Sequence, residues 1–328
     1  YSINKDVSKK CLVLNSLISH RAELWKMIES GLSGLKDSPA SFVDPFGNFA
    51  FGVLEEASSD SFIRKMMREP RLLPKEIGDS AVMKFPWNLI EENGRAIGDS
   101  FVGGHGINSD GIASIESRGN RIRVSETAEI ERFVTLDSRR GPVIIDDNAQ
   151  VQSFSYITGP CFIGNGSIVK SGRIREGTTI GLNCRVSGEI EKSILSDYAN
   201  KNHEGFIGHS IIGRWVNLGA MTTNSDLKNT YGNIKVRVGK AQIDTELNKV
   251  GVFMGDMAKA AIGTLMTSGK TVGASSQVFG TVLEDVPSFT ISAKSLGAKP
   301  VEMYLESAIE TQKRMMGRRD VQMSQAYE

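Results

Sequence analysis

The sequence predicts a mainly β protein: a parallel β-helix preceded by an α/β region and followed by a C-terminal helix. Three observations predict it. Aliphatic residues recur at a constant step of six, at Ile145, Val151, Ile157, Ile163 and Val169. The spacing slips by one at Ile174, resumes at Ile180 and Val186, returns at Ile207, Ile212 and Leu218, and ends through Met266, Val272 and Val278. Glycine follows the aliphatic residue directly at Ile163, Ile180, Ile207, Ile212 and Val272. Third, 34 glycines accompany an aromatic content of only 7%; glycine is unfavourable inside helices and ordinary strands, so the excess points to many tight turns. A step of six fits neither a 3.6-residue helix nor simple alternation. It fits a triangular coil in which each hexapeptide forms one side, the aliphatic residue fills the interior, and the small residue after it lets the backbone turn the corner.

The elements follow in order. Lys9 to Leu14 is an apolar run suited to a strand, and Ala22 to Leu32 has helical spacing, with Leu24, Met27, Ile28 and Leu32 on one face. Ala40–Val43 and Phe49–Leu54 flank Asp44-Pro45-Phe46-Gly47-Asn48, a hairpin signature. From Lys84 the chain turns into a helix with Pro86 near its first turn, suited to connecting two domains. Two segments interrupt the repeat. Asp197–Gly205 lacks the interior aliphatics and is expected to leave the coil wall as a loop; Ile234–Val238 and Ala241–Asp244 surround Gly239–Lys240 and predict a projecting hairpin. After Pro300, residues 300–323 predict an amphipathic helix of four or five turns carrying Met303, Ile309 and Met316, either capping the coil or packing on a neighbouring subunit. The expected organisation is 1–100 as an α/β region with its linker helix, 101–292 as the β-helix, and 293–328 as the helical end.

Composition narrows the function. With 328 residues, a net charge of +1 and no basic stripe, nothing argues for nucleic acid or a membrane surface, and no apolar run approaches the ~20 residues that span a bilayer. Three cysteines, Cys11, Cys161 and Cys184, lack metal-ligand spacing; a sparse, odd set fits a reducing compartment, and the cytoplasm is the expected location. The start at Tyr1 reads as the tail of a longer polypeptide.

His203 has the best chemical context of the four histidines. It lies in K-N-H-E-G-F-I-G-H-S-I-I-G, where the repeat is interrupted. Acyl transfer from a thioester to an amine or hydroxyl requires a base, and an imidazole suits that task near neutral pH; backbone N–H groups at the glycine corners could receive the oxyanion. A bland alternative has the loop histidine bonding across a coil. His209 is expected to face outward beside a corner in a structural role, Asp146–Asp147 and Ser225–Asp226 to cap turns, and Gly103–Gly104–His105–Gly106 to form a loop. Lys259, in G-D-M-A-K, is either a point charge for a coenzyme A phosphate or a solvated surface lysine.

The run N-H-E-G-F-I-G-H-S-I-I-G-R-W-V-N-L-G-A, Asn202 to Ala220, resembles the acetyltransferase signature of bifunctional N-acetylglucosamine-1-phosphate uridylyltransferases. The resemblance implies a left-handed β-helix, acetyl-CoA as donor, and homotrimers with active sites between neighbouring coils. It also implies His203 as general base, Phe206 at the position of a substrate-contacting tyrosine, and Asn217 as a sugar-phosphate contact. Ala220 and Gly263 would offer backbone groups to the coenzyme, and Lys192 stands near the family's phosphate-binding lysine pair. A wider similarity, over about residues 84–320, is to a subgroup labelled sugar nucleotidyltransferases, carried by P-W-N-L-I, by G-V-F-M-G-D-M-A-K-A-A-I-G-T (Gly251 to Thr264) and by the terminal R-M-M-G-R-R.

The sequence departs from the pattern in places. T-T-N-S-D-L-K-N replaces the family's T-I-T-C-N-Y-D-G, which would move that asparagine's contacts to Asn224 or Asp226; Phe206 lacks the tyrosine hydroxyl, and Met221 replaces a glycine beside the acyl site. The glycine-rich nucleotide loop L-x-x-G-x-G-T-R-x-x-P has no counterpart, so a nucleotidyltransferase site, with the Mg it would require, either lies upstream or is degenerate. Three functions are thus expected in order: an acyltransferase using CoA and a small-molecule sugar phosphate; a sugar-1-phosphate nucleotidyltransferase; a trimeric scaffold without chemistry.

Overall fold

The computed structural model describes residues 11–14, 22–34, 40–45, 47–54, 70–72, 82–103 and 115–324. Two compact units divide at Glu92/Asn93. In the first, Phe49–Leu54 pairs antiparallel with both Cys11–Leu14 and Ala40–Val43, and Arg71–Leu72 adds to the latter in parallel. The expected hairpin closes through Asp44, whose carboxylate accepts from the Asn48 backbone and side-chain amides, each at 2.8 Å, with Gly47 at φ +78°. The helix Ala22–Gly34 buries Leu24 and Ile28 with Ala50 and Phe51. Lys9, Lys10 and Gly104–Gly106 lie outside the described residues.

The second unit is the parallel β-helix that the repeat predicts, left-handed as the family resemblance implies. Its strands come two to four residues at a time and line three faces, two with one continuous ladder each and the first with two, broken between Phe206–Gly208 and Thr223–Asn224. The interior columns are continuous. On the first face Ile157, Ile174, Ile190 and Ile207 stand in register. On the second, Ile145, Ile163, Ile180, Leu195, Ile212, Met254 and Val272 do so, and on the third Ile130, Val151, Val169 and Val186. Most are wholly inaccessible and belong to one core cluster. Each short strand pairs only with the coils before and after it, so the apolar interior exists only because the coils stack.

The glycines after the aliphatic residues play a different part from the one expected. Gly181 and Gly273 do not occupy the left-handed region; a Cβ on Gly181 would lie 2.7 Å from Asp197 Oδ1, and one on Gly273 2.2 Å from Ser288 N. They are glycine because the next coil passes directly over them. The left-handed corner residues come two positions later and carry side chains: Asn183, Tyr198, Trp215, Met257, Ser275 and Phe289, with φ between 53° and 63°.

Asp197–Gly205 does not leave the wall. Asn200–Lys201 is a strand, paired with Arg185–Val186 on one side and, through Asn200, with Asn217 on the other. Its interior position is held by Lys201, whose methylene stem does the filling an aliphatic residue does elsewhere; the polar name hid it from the pattern. The hairpin is confirmed as Lys235–Val238 against Ala241–Asp244. The C-terminal helix is shorter than expected, Leu305–Gly317, and buries Ala308, Gln312 and Met316 instead of Ile309, while Met303 is buried just before it. Gln312 bonds Lys259 on the third face and Ser275 at the corner leading into it, so a polar contact partly selects the buried side. The helix Pro86–Asp99 starts at its proline as expected, and its Asn93 exchanges hydrogen bonds with Gly177 and Thr179 of the coil.

Ile180→Ala, in the middle of the second interior column, is expected to lower unfolding free energy by about 2–5 kcal/mol in chemical denaturation. A loss below about 1 kcal/mol would mean the columns can collapse around a gap.

Candidate active site

His203 sits at the corner joining the third face to the first. It is exposed, and its Nε2 lies 3.5 Å from Asn202 Nδ2, the long limit of a hydrogen bond, which leaves the imidazole open to a ligand. Corners of consecutive coils stack along one edge. The Met221 N–H donates to the Glu204 carbonyl, and the Gly263 N–H donates to the Ala220 carbonyl, both at 2.8 Å. The structure therefore brings His203, Ala220 and Gly263 onto a single edge across three successive coils. Met221 and Ile262 project from it, 57% and 77% exposed. Because the Gly263 amide and the Ala220 carbonyl bond each other, neither is spare for a ligand in this geometry.

The first face runs from that edge. Tyr156, Arg173, Glu189 and Phe206 form its outward column, alternating with the buried isoleucines. Thr223 extends it, its hydroxyl accepting from the Phe206 N–H at 3.3 Å. The Phe206 ring lies over Gly208, where a Cβ would come 2.4 Å from the ring and 2.7 Å from Asp226 Oδ2. Farther along the face a cavity of about 260 Å3 is ringed by Arg139, Arg140, Arg173 and Arg175 with Glu176 and Glu189. Three of the four guanidinium groups are committed: Arg139 to Asp137, whose carboxyl it holds far below the usual range, Arg140 to Glu176 at 2.8 Å and Arg175 to Glu189 at 3.1 Å. Arg173 has only a 3.9 Å contact with Glu189 and is 74% exposed, so it is the guanidinium most open to an anion.

Sequence reasoning passed over this arginine group. The signal was present: Arg173 and Arg175 flank the interior Ile174, so both must point outward on the face that carries Phe206.

His209 corrects an expectation. Instead of facing outward it is buried, 4% exposed, and its Nδ1 lies 2.7 Å from Asp226 Oδ2. Asp226 is accordingly a buried partner, not a turn cap. Its own burial favours the neutral carboxyl, but the hydrogen bond and charge of His209 outweigh that and hold it below the ordinary carboxylate value. A buried imidazole without such a partner would be costly. Asn224 occupies the interior position on the same stretch; its Oδ1 accepts from the Gly208 N–H and its Nδ2 donates to the Gly208 carbonyl, both at 3.0 Å, so its amide is taken up by the wall.

The remaining candidates lie elsewhere. Lys192 is at the corner between the first and second faces, its N–H bonded to the Glu176 carbonyl. Asn217 is on the third face, accepting from Asn200 Nδ2 at 2.7 Å, near the stacked Tyr198 and Trp215 rings. Lys259 is on that face too, but its Nζ donates to the Met257 carbonyl and to Gln312 of the C-terminal helix, and burial pushes its amine down to about 8. Cys161 and Cys184 are buried, the latter pushed up to about 12 chiefly by burial, which makes them inert. Among the described residues no cluster of three or more histidine, cysteine or carboxylate groups is placed to hold a metal. A larger cavity, about 750 Å3, opens at the last coil, where Val282 and Val286 end the interior columns; its lining holds the carboxylates Glu284, Asp285 and Glu302 but no histidine.

These features define a hexapeptide-repeat β-helix protein with a histidine edge and an arginine-lined face. No protein-family model matches the chain. In sequence it is related to bifunctional sugar-1-phosphate nucleotidyltransferase/acetyltransferases. It is 26% identical over 201 residues to the "Bifunctional sugar-1-phosphate nucleotidylyltransferase/acetyltransferase" of Sulfurisphaera tokodaii, covering 59% of this chain and 43% of the relative. It is 30% identical over 171 residues to the "Bifunctional protein GlmU" of Jannaschia sp., covering 50% of this chain and 33% of the relative. The chain thus spans less than half the length of these relatives. A solved Francisella novicida UDP-N-acetylglucosamine acyltransferase aligns at 15% identity and a TM-score of 0.37, over 63% of this chain and 74% of that one.

The pair His209–Asp226 has a defined pH signature. The carboxylate is held below its unfolded value, so its stabilisation is full above about pH 4 and is lost as the pH falls through the folded value. Thermal melts of Asp226→Asn should lie below the parent above about pH 5, the gap narrowing as the pH falls through the folded carboxyl's lowered value; a constant gap down to acid pH would show that this carboxylate does not titrate with folding.

Proposed function

We propose that this chain is an acyltransferase that moves an acetyl group from acetyl-CoA to the amine or hydroxyl of a sugar phosphate or related sugar. One observation carries the reading: an open imidazole stands on an edge beside Ala220 and Gly263, next to a face that presents Phe206 and a nearly uncommitted arginine. The donor would lie along the edge, with its pantetheine arm against Met221 and Ile262, and the acceptor along the first face.

The chemistry follows from that placement. The acceptor's nucleophile attacks the thioester carbonyl as His203 takes its proton; the C–S bond then breaks, and the imidazolium returns the proton to the departing thiolate. Arg173 would fix the acceptor's phosphate, for which a planar guanidinium suits paired oxygens, and Phe206 would cover the sugar ring. Lys192 is the further candidate for that anion, from the neighbouring corner. Asn217 and Lys259 lie on the third face, so any role they have in binding sugar phosphate or coenzyme would involve that face and the C-terminal helix. Asn224 and Asp226 act in this reading through the wall behind Phe206.

Supporting a homotrimer are the family resemblance and the exposed apolar side chains Met221 and Ile262 on the histidine edge. No helix of the described residues is long and apolar enough to cross a membrane, and the cytoplasm is the proposed location. The nucleotidyltransferase reading is favoured by one observation, the double activity in the relatives' names; release of pyrophosphate from UTP with a sugar 1-phosphate would establish it, with Mg as its metal.

Two assays test the main reading. With acetyl-CoA and glucosamine 1-phosphate, His203→Ala is expected to lower kcat by ~10²-fold or more; turnover within twofold of the parent would remove the histidine from the chemistry. Arg173→Ala should raise the acceptor's KM about tenfold, with kcat and the acetyl-CoA KM nearly unchanged, in initial-rate measurements. An unchanged acceptor KM would remove the arginine face from the site.

A further inference from the structure

The third interior column contains one anomaly. Above Val151, Val169 and Val186 the next inward residue is Lys201, in register with Val186 and wholly inaccessible to solvent. Asn200 pairs with Asn217, so the position following Lys201 in the column is Leu218, again aliphatic and buried. An ammonium in that interior is unfavourable unless a partner compensates it, and methionine or leucine would fill the same volume with no charge. Stability alone does not account for the amine.

Its partner is informative. The side chain is buried and Nζ donates to the backbone carbonyl of His203, two residues on in the same coil. Gly205, at φ +131°, makes room: a Cβ there would lie 3.2 Å from Lys201 Nζ and 2.2 Å from the Thr222 carbonyl. Burial pushes the amine down to about 8, with the nearby Glu204 carboxylate acting the other way. The amine therefore reaches, from inside the wall, the corner that carries the imidazole on its outside.

We propose that Lys201 is a positioning residue for His203: by holding the corner's carbonyl from within the coil, it fixes the imidazole on the edge where donor and acceptor meet. The proposal rests on His203 as the base. It explains why a charge replaces an aliphatic residue in the coil beside that histidine. A misplacement of about 1 Å in a reacting group is enough to cost ~10²-fold in rate, so the tether need not contribute to stability to matter.

Lys201→Met keeps the stem's volume and removes the amine. The expected result is a kcat at least ~10-fold below the parent, a KM for acetyl-CoA within twofold, and a melting temperature equal to or above the parent's, because a buried charge has been removed. A kcat that falls in step with the melting temperature would instead make Lys201 a purely structural residue and overturn the proposal. His203→Ala and the double variant are measured alongside: the double should retain the residual rate of His203→Ala alone. If His203→Ala is impaired while Lys201→Met is as active as the parent, the tether is refuted and the base stands; if His203→Ala is fully active, both fall. A crystal structure of Lys201→Met reads the same point without substrate. The His203 ring should be displaced by about 1 Å or more, and an unmoved ring would overturn the inference.

Discussion

The inward stacking of one side chain per hexapeptide is the constraint on which everything else in the coil depends. Val151 lies against Val169 and Val169 against Val186; Ile157, Ile174, Ile190 and Ile207 do the same on another face. Because strands of two to four residues cannot bury a core by themselves, every coil is held in place by its neighbours. That fixes which residues must point outward. The alternation that sends Ile174 and Ile207 inside puts Arg173 and Phe206 in one outward column, and the ladder of corners puts His203 beside Ala220 and Gly263. The site is a by-product of register.

The same constraint explains the polar groups in the wall. Where the first face passes from Phe206–Gly208 to Thr223–Asn224, no backbone pairing joins the two strands. Asn224 replaces it, returning a donor and an acceptor to the Gly208 backbone, and the Thr223 hydroxyl takes the Phe206 amide. His209 and Asp226 close the adjoining corner, and the Val250 N–H reaches the Asp226 carbonyl where the chain returns from the hairpin insertion. The insertion interrupts the repeat in sequence, while side chains carry the wall across the gap in space.

Much of this was legible before any coordinates. The step of six marks the interior residues, and the hairpin and the helix at Pro86 lie within a few residues of their expected limits, while the helical end is about half its expected length. What escaped was interior polarity. A pattern that counts aliphatic residues reads Lys201 and Asn224 as interruptions, although each holds an inward position. His209 looked like a surface corner because its partner Asp226 is 17 residues away. The arginine face went unread for a related reason: charged residues on an outward column look like ordinary solvent-facing positions until the register aligns them.

The central claim is that the edge bearing His203 receives the acyl donor. The most direct measurement is a crystal structure of the chain with CoA bound. The thiol is expected beside Met221 and Ile262, within direct or single-water hydrogen-bond reach of the His203 imidazole. A coenzyme whose thiol ends on the third face beneath the C-terminal helix, or at the open last coil, would contradict it.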